Sequence, residues 1–434
     1  MKNFISLYMI MFILIIFSLF SCQSPTAFPV NNGSITLSFY EAASTEAWLK
    51  LNASNVTFPV NLTIKSDNNI LFRSSISSSD SLIYIDSLLP NKTYSIEGYY
   101  TINNIQHTTN NITLTTMDTT SNNFTWQTFT FGGHAGSCNL YDVTIINDTS
   151  AYAVGSIYLN DSSGKPDPYV YNSARWNGSN WNLIRIYFIN SQNQKFLAPY
   201  KSVVAININD IFFATDQISK WNGTNFESIE IPNNVFHTWI NKIYGTTKNS
   251  LYIIGDSGSI ASYQNGSWQK IESGTTADIN DIWGINIDGS AKVYCAVSDV
   301  FQLSEHKILT IDETNKVDSV KWDTGRRVGT IWTKNGFPIY AGGGGVFENK
   351  RGYWKEQTEI PLYYSERIRG NDLNDIYVCG DFGLFAHYNG VRWTVFKNLS
   401  IYGAYLSVAV KNNLVIAVGY LNNEQAIIVV GKRY

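Results

Sequence analysis

The sequence predicts an all-β protein in which a β-sandwich precedes a closed ring of repeated four-stranded sheets. Three observations indicate this fold class: short runs that alternate polar and apolar residues, an aromatic content of 14%, and a segment of about 40 residues that recurs along the C-terminal part of the chain. Aromatic and β-branched residues favour strands. A formal net charge of −3 with 15% charged residues gives no basic surface for nucleic acid.

Residues 1–22 form a targeting segment in this interpretation, because Lys2 precedes an apolar run over residues 4–20. The run ends in Leu-Phe-Ser-Cys at Cys22, which resembles the lipobox of exported bacterial lipoproteins. Phe20 departs from the small residue usual in that motif. The alternative is an uncleaved membrane anchor, since the run is nearly long enough to span a bilayer.

The lipobox resemblance implies lipidation of Cys22, a tether over residues 23–30 and a lipid anchor in the bacterial cell envelope. Lipoproteins retained at the inner membrane resemble one another in carrying Asp directly after the lipidated cysteine. Gln23 stands at that position here, which favours the outer membrane or the cell surface.

Three cysteines remain after such cleavage: Cys138, Cys295 and Cys379. An odd number argues against a disulfide framework. Cys295 and Cys379 lie in apolar strand-like runs, so we expect buried, unpaired thiols that pack as small hydrophobic groups.

Residues 31–117 contain seven strand-like runs with period-two alternation, a spacing typical of a β-sandwich. Within them, Leu88, Pro90 and Tyr94 resemble the fibronectin type III pattern in which a Leu-x-Pro turn leads to a corner tyrosine. The resemblance implies that Tyr94 starts a strand and bonds back to the turn. Residues 118–123 are rich in Thr, Ser and Asn and are expected to form a linker.

Residues 124–434 repeat a pattern of four strands, predicting a seven-bladed β-propeller. The second strand usually ends in glycine, as at Gly155, Gly255 and Gly380. Aromatic pairs five residues apart, such as Trp176 and Trp181, flank an Asn-Gly hairpin turn. We expect these rings to pack between adjacent blades rather than to stack sugars.

The last repeat lacks a fourth strand, and a strand around Trp126 precedes the first repeat. This strand can complete the seventh blade and remove the exposed sheet edge. We therefore expect Trp126 to be part of the ring closure.

The repeats resemble those of sialidase-type and photosystem-assembly-factor propellers, which implies the fold and little about function. The Asp-box of sialidases is not matched: Asp256-Ser-Gly258 and Asp381-Phe-Gly383 are better explained as turns. Sialidase chemistry also needs an arginine cluster, whereas the pair at Arg326 and Arg327 is expected to be structural.

Signatures of metalloprotease, nucleophile-elbow, phosphate-loop and EF-hand sites are absent from the sequence, so no cofactor and no metal are expected. The five histidines do not cluster, and His387 is expected to pack within a blade. Insertions and loops on one propeller face often bind ligands. The candidate ligand-binding residues on that face are Asp161, Asp167, Tyr169, Tyr171, Tyr200, His237, Trp239, Tyr363, Tyr364 and Tyr402.

These residues favour a non-enzymatic, envelope-anchored binding or scaffolding lipoprotein that recognises a protein or a glycan. The competing hypothesis is a carbohydrate-active enzyme, a glycoside hydrolase or lyase, which would bring two carboxylates together in the channel mouth. A third hypothesis is a structural envelope component with a flat polar face. The sequence identifies no ligand and no oligomeric state.

Overall fold

A computed structural model describes residues 33–287, 290–299 and 305–434. The all-β prediction is confirmed, since Lys397–Leu399 is the one helical segment of the described residues, a single 3-10 turn. None of the described helical segments has the length and hydropathy to cross a membrane. The proposed targeting segment 1–22 and tether 23–30 lie outside the described residues.

The chain divides into two compact units by its contacts. The first contains the described residues up to Glu41, Trp48–Ile85 and Tyr94–Leu114. The second contains Ala42–Ala47, Asp86–Thr93 and the described part of Thr115–Tyr434.

The first unit is built from a three-stranded sheet and a five-stranded sheet. Alternate residues of its sixth strand, including Tyr94, Ile96 and Tyr100, point into the core, as period two requires. The strands are β1 Ser34–Ala42, β2 Ala47–Ser54, β3 Val60–Ser66, β4 Asn69–Ile76, β5 Asp80–Ile85, β6 Thr93–Ile102, β7 Ile105–Thr108 and β8 Ile112–Thr115. One sheet has the order β1-β2-β5, and the other β4-β3-β6-β7 with β8 also on β6.

The second unit contains the remaining strands. They are β9 Phe124–Gly132, β10 Asn139–Asn147, β11 Ser150–Ile157, β12 Tyr171–Trp176, β13 Trp181–Ile184, β14 Phe188–Ile189, β15 Lys195–Phe196, β16 Ser202–Asn207, β17 Asp210–Ala214, β18 Ile218–Trp221, β19 Phe226–Ile229, β20 Ile240–Thr247, β21 Ser250–Gly255, β22 Ser259–Gln264, β23 Ser267–Glu272, β24 Ile279–Ile287, β25 Ser290–Ser298, β26 His306–Asp312, β27 Val317–Val320, β28 Val328–Thr333, β29 Ile339–Gly343, β30 Gly345–Asn349, β31 Trp354–Glu356, β32 Ser365–Asp372, β33 Asp375–Gly380, β34 Phe385–Tyr388, β35 Trp393–Val395, β36 Gly403–Lys411, β37 Leu414–Leu421 and β38 Gln425–Arg433.

These strands form consecutive four-stranded antiparallel sheets, seven of them in the described residues. Each of the first six sheets uses four strands in chain order, beginning with β10, β16, β20, β24, β28 and β32. The first strand of each sheet contacts the first strand of the next, and β36 contacts β10. The first strands therefore surround a central channel as a closed cycle.

The seventh sheet has the order β36-β37-β38-β9, so it joins the C-terminal strand to a strand that precedes the first sheet. Trp126 lies opposite Gly431 in this pairing. Its half-buried ring stacks on Phe124 at 5.0 Å and contacts Phe385 and Phe396 of the sixth sheet at 5.6 and 5.1 Å. Strand β9 thus contributes both hydrogen bonds and aromatic contacts to the seventh sheet.

The recurring aromatic pairs lie opposite each other on the third and fourth strands of one sheet. Trp176 and Trp181 have ring centroids 5.3 Å apart, and Tyr388 and Trp393 are also 5.3 Å apart. The glycine between the members of each pair has positive φ, as the hairpin turn requires. Contact also extends to the neighbouring sheet, because Phe129 of β9 packs on Trp176 at 5.8 Å.

Candidate functional site

The central channel is closed by side chains at one equivalent position of every first strand. We call this set the belt: Asp142, Ser202, Lys242, Asp281, Thr330, Arg367 and Ser407. All seven are polar or charged and all are buried. A cavity of about 560 Å³ lies on one side of the belt, and a second cavity of about 310 Å³ lies on the other.

Asp142 binds three other belt residues through hydrogen bonds or an ion pair. Its carboxylate accepts hydrogen bonds from the Ser202 hydroxyl, the Val203 amide and the Ser407 hydroxyl, each at 2.8 Å, and pairs with Lys242 Nζ at 2.5 Å. Burial alone would raise the pKa of Asp142, but the nearby Lys242 and Arg367 charges hold it below its ordinary value. Burial also lowers the pKa of Lys242 to about 8, against the attraction of Asp142.

Asp281 organises the other half of the belt in the same way. It accepts hydrogen bonds from the Thr330 hydroxyl at 2.6 Å and the Ile331 amide at 3.1 Å, and the Arg369 guanidinium binds both of its oxygens at 2.6 and 2.9 Å. Arg367 Nη1 lies 2.5 Å from the same carboxylate. Although burial opposes ionisation, these two guanidinium groups hold the pKa of Asp281 well below its usual range.

The larger cavity opens where the first strands begin, and we call it the mouth. The residue just before each belt residue lines it: Tyr141, Lys201, Asn241, Asn280, Gly329, Glu366 and Leu406. The side chains of Asp256, Arg327, Tyr364, Arg367 and Asp381 complete the lining. Six residue types occupy these seven equivalent positions, whereas the packing positions of the repeats agree.

A β-bulge turns these side chains into the channel. In six of the first strands the pairing register shifts between the residue before the mouth position and the belt residue, as between Leu140 and Asp142. The bulge brings the first-strand backbone onto the end of the second strand. A Cβ at Gly155 would lie 2.0 Å from the Asn139 carbonyl oxygen, and one at Gly380 would lie 2.0 Å from that of Tyr364. The bulge therefore explains the glycine that ends many second strands, because a larger residue there would clash with the first-strand backbone.

Two carboxyl groups of the mouth, Glu366 and Asp381, have raised pKa values. Burial and the neighbouring Asp381 raise the pKa of Glu366 to about 7, against the lowering effect of Arg367. Burial also raises the pKa of Asp381. On the opposite side, burial lowers the pKa of Lys201, whose Nζ lies 4.0 Å from the centroid of the Tyr141 ring.

The mouth has an exposed apolar edge beside Tyr364 and Asp381. We call this the rim cluster: Leu362, Tyr363, Phe382 and Tyr402, with exposed fractions of 57%, 42%, 61% and 79%. Tyr363 and Phe382 pack against each other at 5.1 Å. The turn that carries Phe382 abuts the segment before Tyr402, because a Cβ at Gly383 would lie 2.3 Å from the Ile401 nitrogen.

The candidate residues from the sequence fall into three groups. Tyr364 lines the mouth, and Tyr363 and Tyr402 belong to the rim cluster. His237 and Trp239 are exposed in the loop before β20. The remaining candidates belong to the segment between β11 and β16 and do not line the mouth: Asp161, Asp167, Tyr169, Tyr171 and Tyr200.

Several of this last group are occupied by structural contacts. Asp167 pairs with Arg185 at 2.5 Å, and the guanidinium carbon of Arg185 lies 3.9 Å from the centroid of the Tyr171 ring. Asp161 accepts backbone hydrogen bonds within its own turn. Tyr200 corrects the expectation of an accessible loop aromatic: it is 2% exposed, and its hydroxyl donates to Ser219 Oγ at 2.6 Å, because the ring fills the core beside Phe213.

Sequence reasoning missed most of the mouth and the belt. Arg327, expected to be structural, lines the mouth, and Arg367 and Arg369 converge on Asp281 from one strand. A polar or charged residue near the start of an otherwise apolar first strand, as at Asp142 and Asp281, was the available signal. His387 is fully buried within the sixth sheet, where Nε2 lies 2.9 Å from Asp375.

The described residues contain no group of three or more His, Cys, Asp or Glu placed to hold a metal ion. Cys138, Cys295 and Cys379 are free and buried. Burial raises the pKa of the Cys295 and Cys379 thiols, so both are protonated at neutral pH.

Comparison with known proteins identifies the architecture. The structure of YCF48 bound to D1 peptide is similar with a TM-score of 0.53 and 11% identity, covering 71% of this chain and 97% of that one. The second unit is a β-propeller. YCF48 from Cyanidioschyzon merolae (TM-score 0.49, 12% identity, 70% and 98% coverage) and the WD40 propeller domain of Doa1 (0.47, 12%, 71% and 97%) are also similar. No protein-family model and no curated protein matches the sequence.

Proposed function

We propose that this propeller is a protein-binding or scaffolding module that holds its partner at the rim cluster. The propeller neighbours support a binding role, and one of them is described as bound to a peptide. The observation that carries the proposal is the exposure of four large apolar side chains at the edge of a cavity. Aromatic residues are enriched at protein interfaces, where they act as anchors.

The rim cluster differs from ordinary exposed hydrophobic residues because its members adjoin one another. Tyr363 and Phe382 already pack together, so their rings lose little conformational entropy when a partner covers them. A protein partner is favoured over a glycan because Leu362 adds an aliphatic surface, which contributes to a protein interface and not to sugar stacking.

The test is proximity cross-linking of the full-length protein in its native cells, followed by mass spectrometry. The triple variant Tyr363→Ala, Phe382→Ala, Tyr402→Ala should lose the enriched partner. Tyr353→Ala is the matched control, since Tyr353 is 54% exposed in the turn between β30 and β31, at the end of its sheet opposite the mouth. Equal enrichment by the triple variant and the control would refute the proposal.

A second candidate function, a carbohydrate-active hydrolase, is favoured by the two carboxylates in the mouth. A carboxylic acid with a pKa near 7 beside a second carboxyl group is the pairing that glycoside hydrolysis uses. The test is hydrolysis of a panel of polysaccharides. Activity that falls at least about a hundredfold in Glu366→Gln would support the enzyme, and no hydrolysis by the wild type at pH 5 to 7 would exclude it for those substrates.

We further propose the finer architecture: a lipid anchor at Cys22, a fibronectin type III-like domain over residues 31–117, and a propeller of seven blades closed by β9. The closing strand β9 begins at the end of the propeller opposite the mouth, which supports a rim that faces away from the membrane. Protease cleavage of the loop 157–171 on intact cells tests the orientation. Labelling with a radioactive fatty acid that persists in Cys22→Ser would refute the anchor.

A further inference from the structure

The mouth contains charged side chains of both signs. Its carboxylates are Asp256, Glu366 and Asp381, and its cations are Lys201, Arg327 and Arg367. Among the described residues, no ion pair within 4.0 Å joins a member of one set to a member of the other. Asp256 accepts a hydrogen bond from Asn241 at 2.8 Å, and Arg367 lies beside Asp281. Partly dehydrated charges are costly, so the remaining lining is suited to a ligand that supplies a countercharge to each sign.

Arg367 is a buried cation in the lining of the mouth. The residue is 8% exposed and forms part of the floor of the mouth, yet its Nε has no hydrogen-bond acceptor in the described part of the chain. Nη1 lies close to Asp281 but without hydrogen-bond alignment. Since Nε and Nη1 are both buried, Nη2 is the guanidinium nitrogen that a ligand in the mouth can reach, and a guanidinium donates strongly to a carboxylate.

We infer that the mouth binds a small zwitterion, an amino acid or short peptide whose carboxylate receives hydrogen bonds from Arg367 and whose ammonium group lies against Glu366 and Asp381. Lys201 and Arg327 add positive charge for the carboxylate. A cavity of about 560 Å³ is within the range that encloses small molecules.

The inference goes beyond the proposed protein-binding function, because it uses the charges of the mouth and not the rim cluster. The two are separable: a rim variant should lose the protein partner and keep the zwitterion, and a mouth variant should do the reverse.

The experiment is isothermal titration calorimetry of the full-length protein with four probes at pH 7.5. L-Alanine and L-alanyl-L-alanine carry both charges. N-Acetyl-L-alanine lacks the ammonium group, and L-alaninamide lacks the carboxylate. We expect the zwitterions to bind and each blocked analogue to bind about tenfold more weakly or worse, because each loses a charge-assisted contact.

Variants then assign the contacts. Glu366→Gln keeps the shape and should weaken the dipeptide about tenfold while leaving N-acetyl-L-alanine unchanged. Arg327→Gln should weaken both, and it lies outside the belt, so it avoids the unfolding risk of replacing Arg367. Asp318→Asn is the control, since Asp318 is exposed on β27 and bonds only the adjacent Ser319 amide.

The pH dependence gives a further readout. Glu366 is faced by groups on its own sheet and its neighbours: Asp381, Arg367, Tyr364, Tyr420 and Arg327. Because an ammonium group favours the ionised carboxylate, dipeptide affinity should rise from pH 6 to pH 7.5 with release of a proton. Neither zwitterion binding at roughly 10 mM, or blocked analogues binding equally well, would overturn the inference.

Discussion

Replacing Asp281 by Asn removes one charge from the centre of the propeller without changing its volume. The wild-type carboxylate is fully buried and holds Arg367 and Arg369, and it also accepts from the Thr330 hydroxyl and the Ile331 amide. The amide of Asn can keep one neutral hydrogen bond but cannot balance two guanidinium charges. Both cations are then buried against a neutral group.

The magnitude follows from this uncompensated charge. Removing one partner of a buried ion pair costs about 3 to 5 kcal/mol, because the other partner is left dehydrated. Asp281 serves two guanidinium groups, so we expect a loss toward the upper end of that range. Arg369 retains the Ile368 and Ile331 carbonyl oxygens at 2.7 and 3.3 Å, which limits its share of the loss.

The assay is urea unfolding at pH 7, followed by the fluorescence of the tryptophans. Asp281→Asn should lower the urea midpoint strongly, and Asp318→Asn should leave it unchanged. A second arm repeats both proteins at low pH. Since the folded-state pKa of Asp281 is depressed, its stabilisation is present above about pH 4 and is lost as pH falls further.

Two results would contradict this reasoning. One is a loss below about 1 kcal/mol at pH 7, which would mean that water or rearrangement compensates the guanidinium groups. The other is a difference between wild type and Asp281→Asn that stays constant from pH 7 down to the lowest pH at which both fold.

Three further predictions concern the ring closure and the outer network. Trp126→Ala should cost about 2 kcal/mol in urea unfolding, less than a fully buried Trp, because the ring is half-buried. Gly431→Ala should lower the thermal midpoint, since its Cβ would lie 2.3 Å from the Trp126 ring; an unchanged midpoint would contradict the close pairing. The Asp375 carboxylate is held by His387 and Arg433, and its pKa is lowered to about 2. About 2 kcal/mol of stability is therefore present above pH 4 and should be lost as pH falls to 2. Asp375→Asn should flatten this pH dependence of the free energy of unfolding.

The sequence was informative wherever a local pattern determines local structure. Alternation located strands such as Thr93–Ile102, and Asn-Gly located hairpin turns at Gly178 and Gly390. The glycine ending many second strands was visible at Gly155 and Gly380, but its cause was not. That cause is a clash with a carbonyl on the neighbouring strand, which depends on the pairing register.

The site was harder to predict because it is assembled from distant residues. Asp142 contacts Lys242 and Ser407, which are 100 and 265 positions away in the chain. No sequence motif joins them, since each is a single polar residue in an apolar strand. Aromatic residues in the loops were the more conspicuous candidates, yet Tyr200 is buried. Tertiary packing decides whether a loop aromatic faces the core or the solvent, and the local sequence does not show it.

The polar residues of the belt stabilise the fold, whereas those of the mouth are available to bind a ligand. Belt carboxylates such as Asp142 and Asp281 are satisfied by their neighbours, so the fold itself explains them. The mouth positions carry no such requirement: Gly329 and Leu406 occupy the position that Glu366 occupies on the sixth sheet. An apolar residue is therefore tolerated at this position. The Glu366 carboxylate, whose pKa is raised to about 7, destabilises the folded protein when it is ionised. A ligand cation next to Glu366 would stabilise its ionised carboxylate and offset this destabilisation, which is the physical reason to look for the ligand in the mouth.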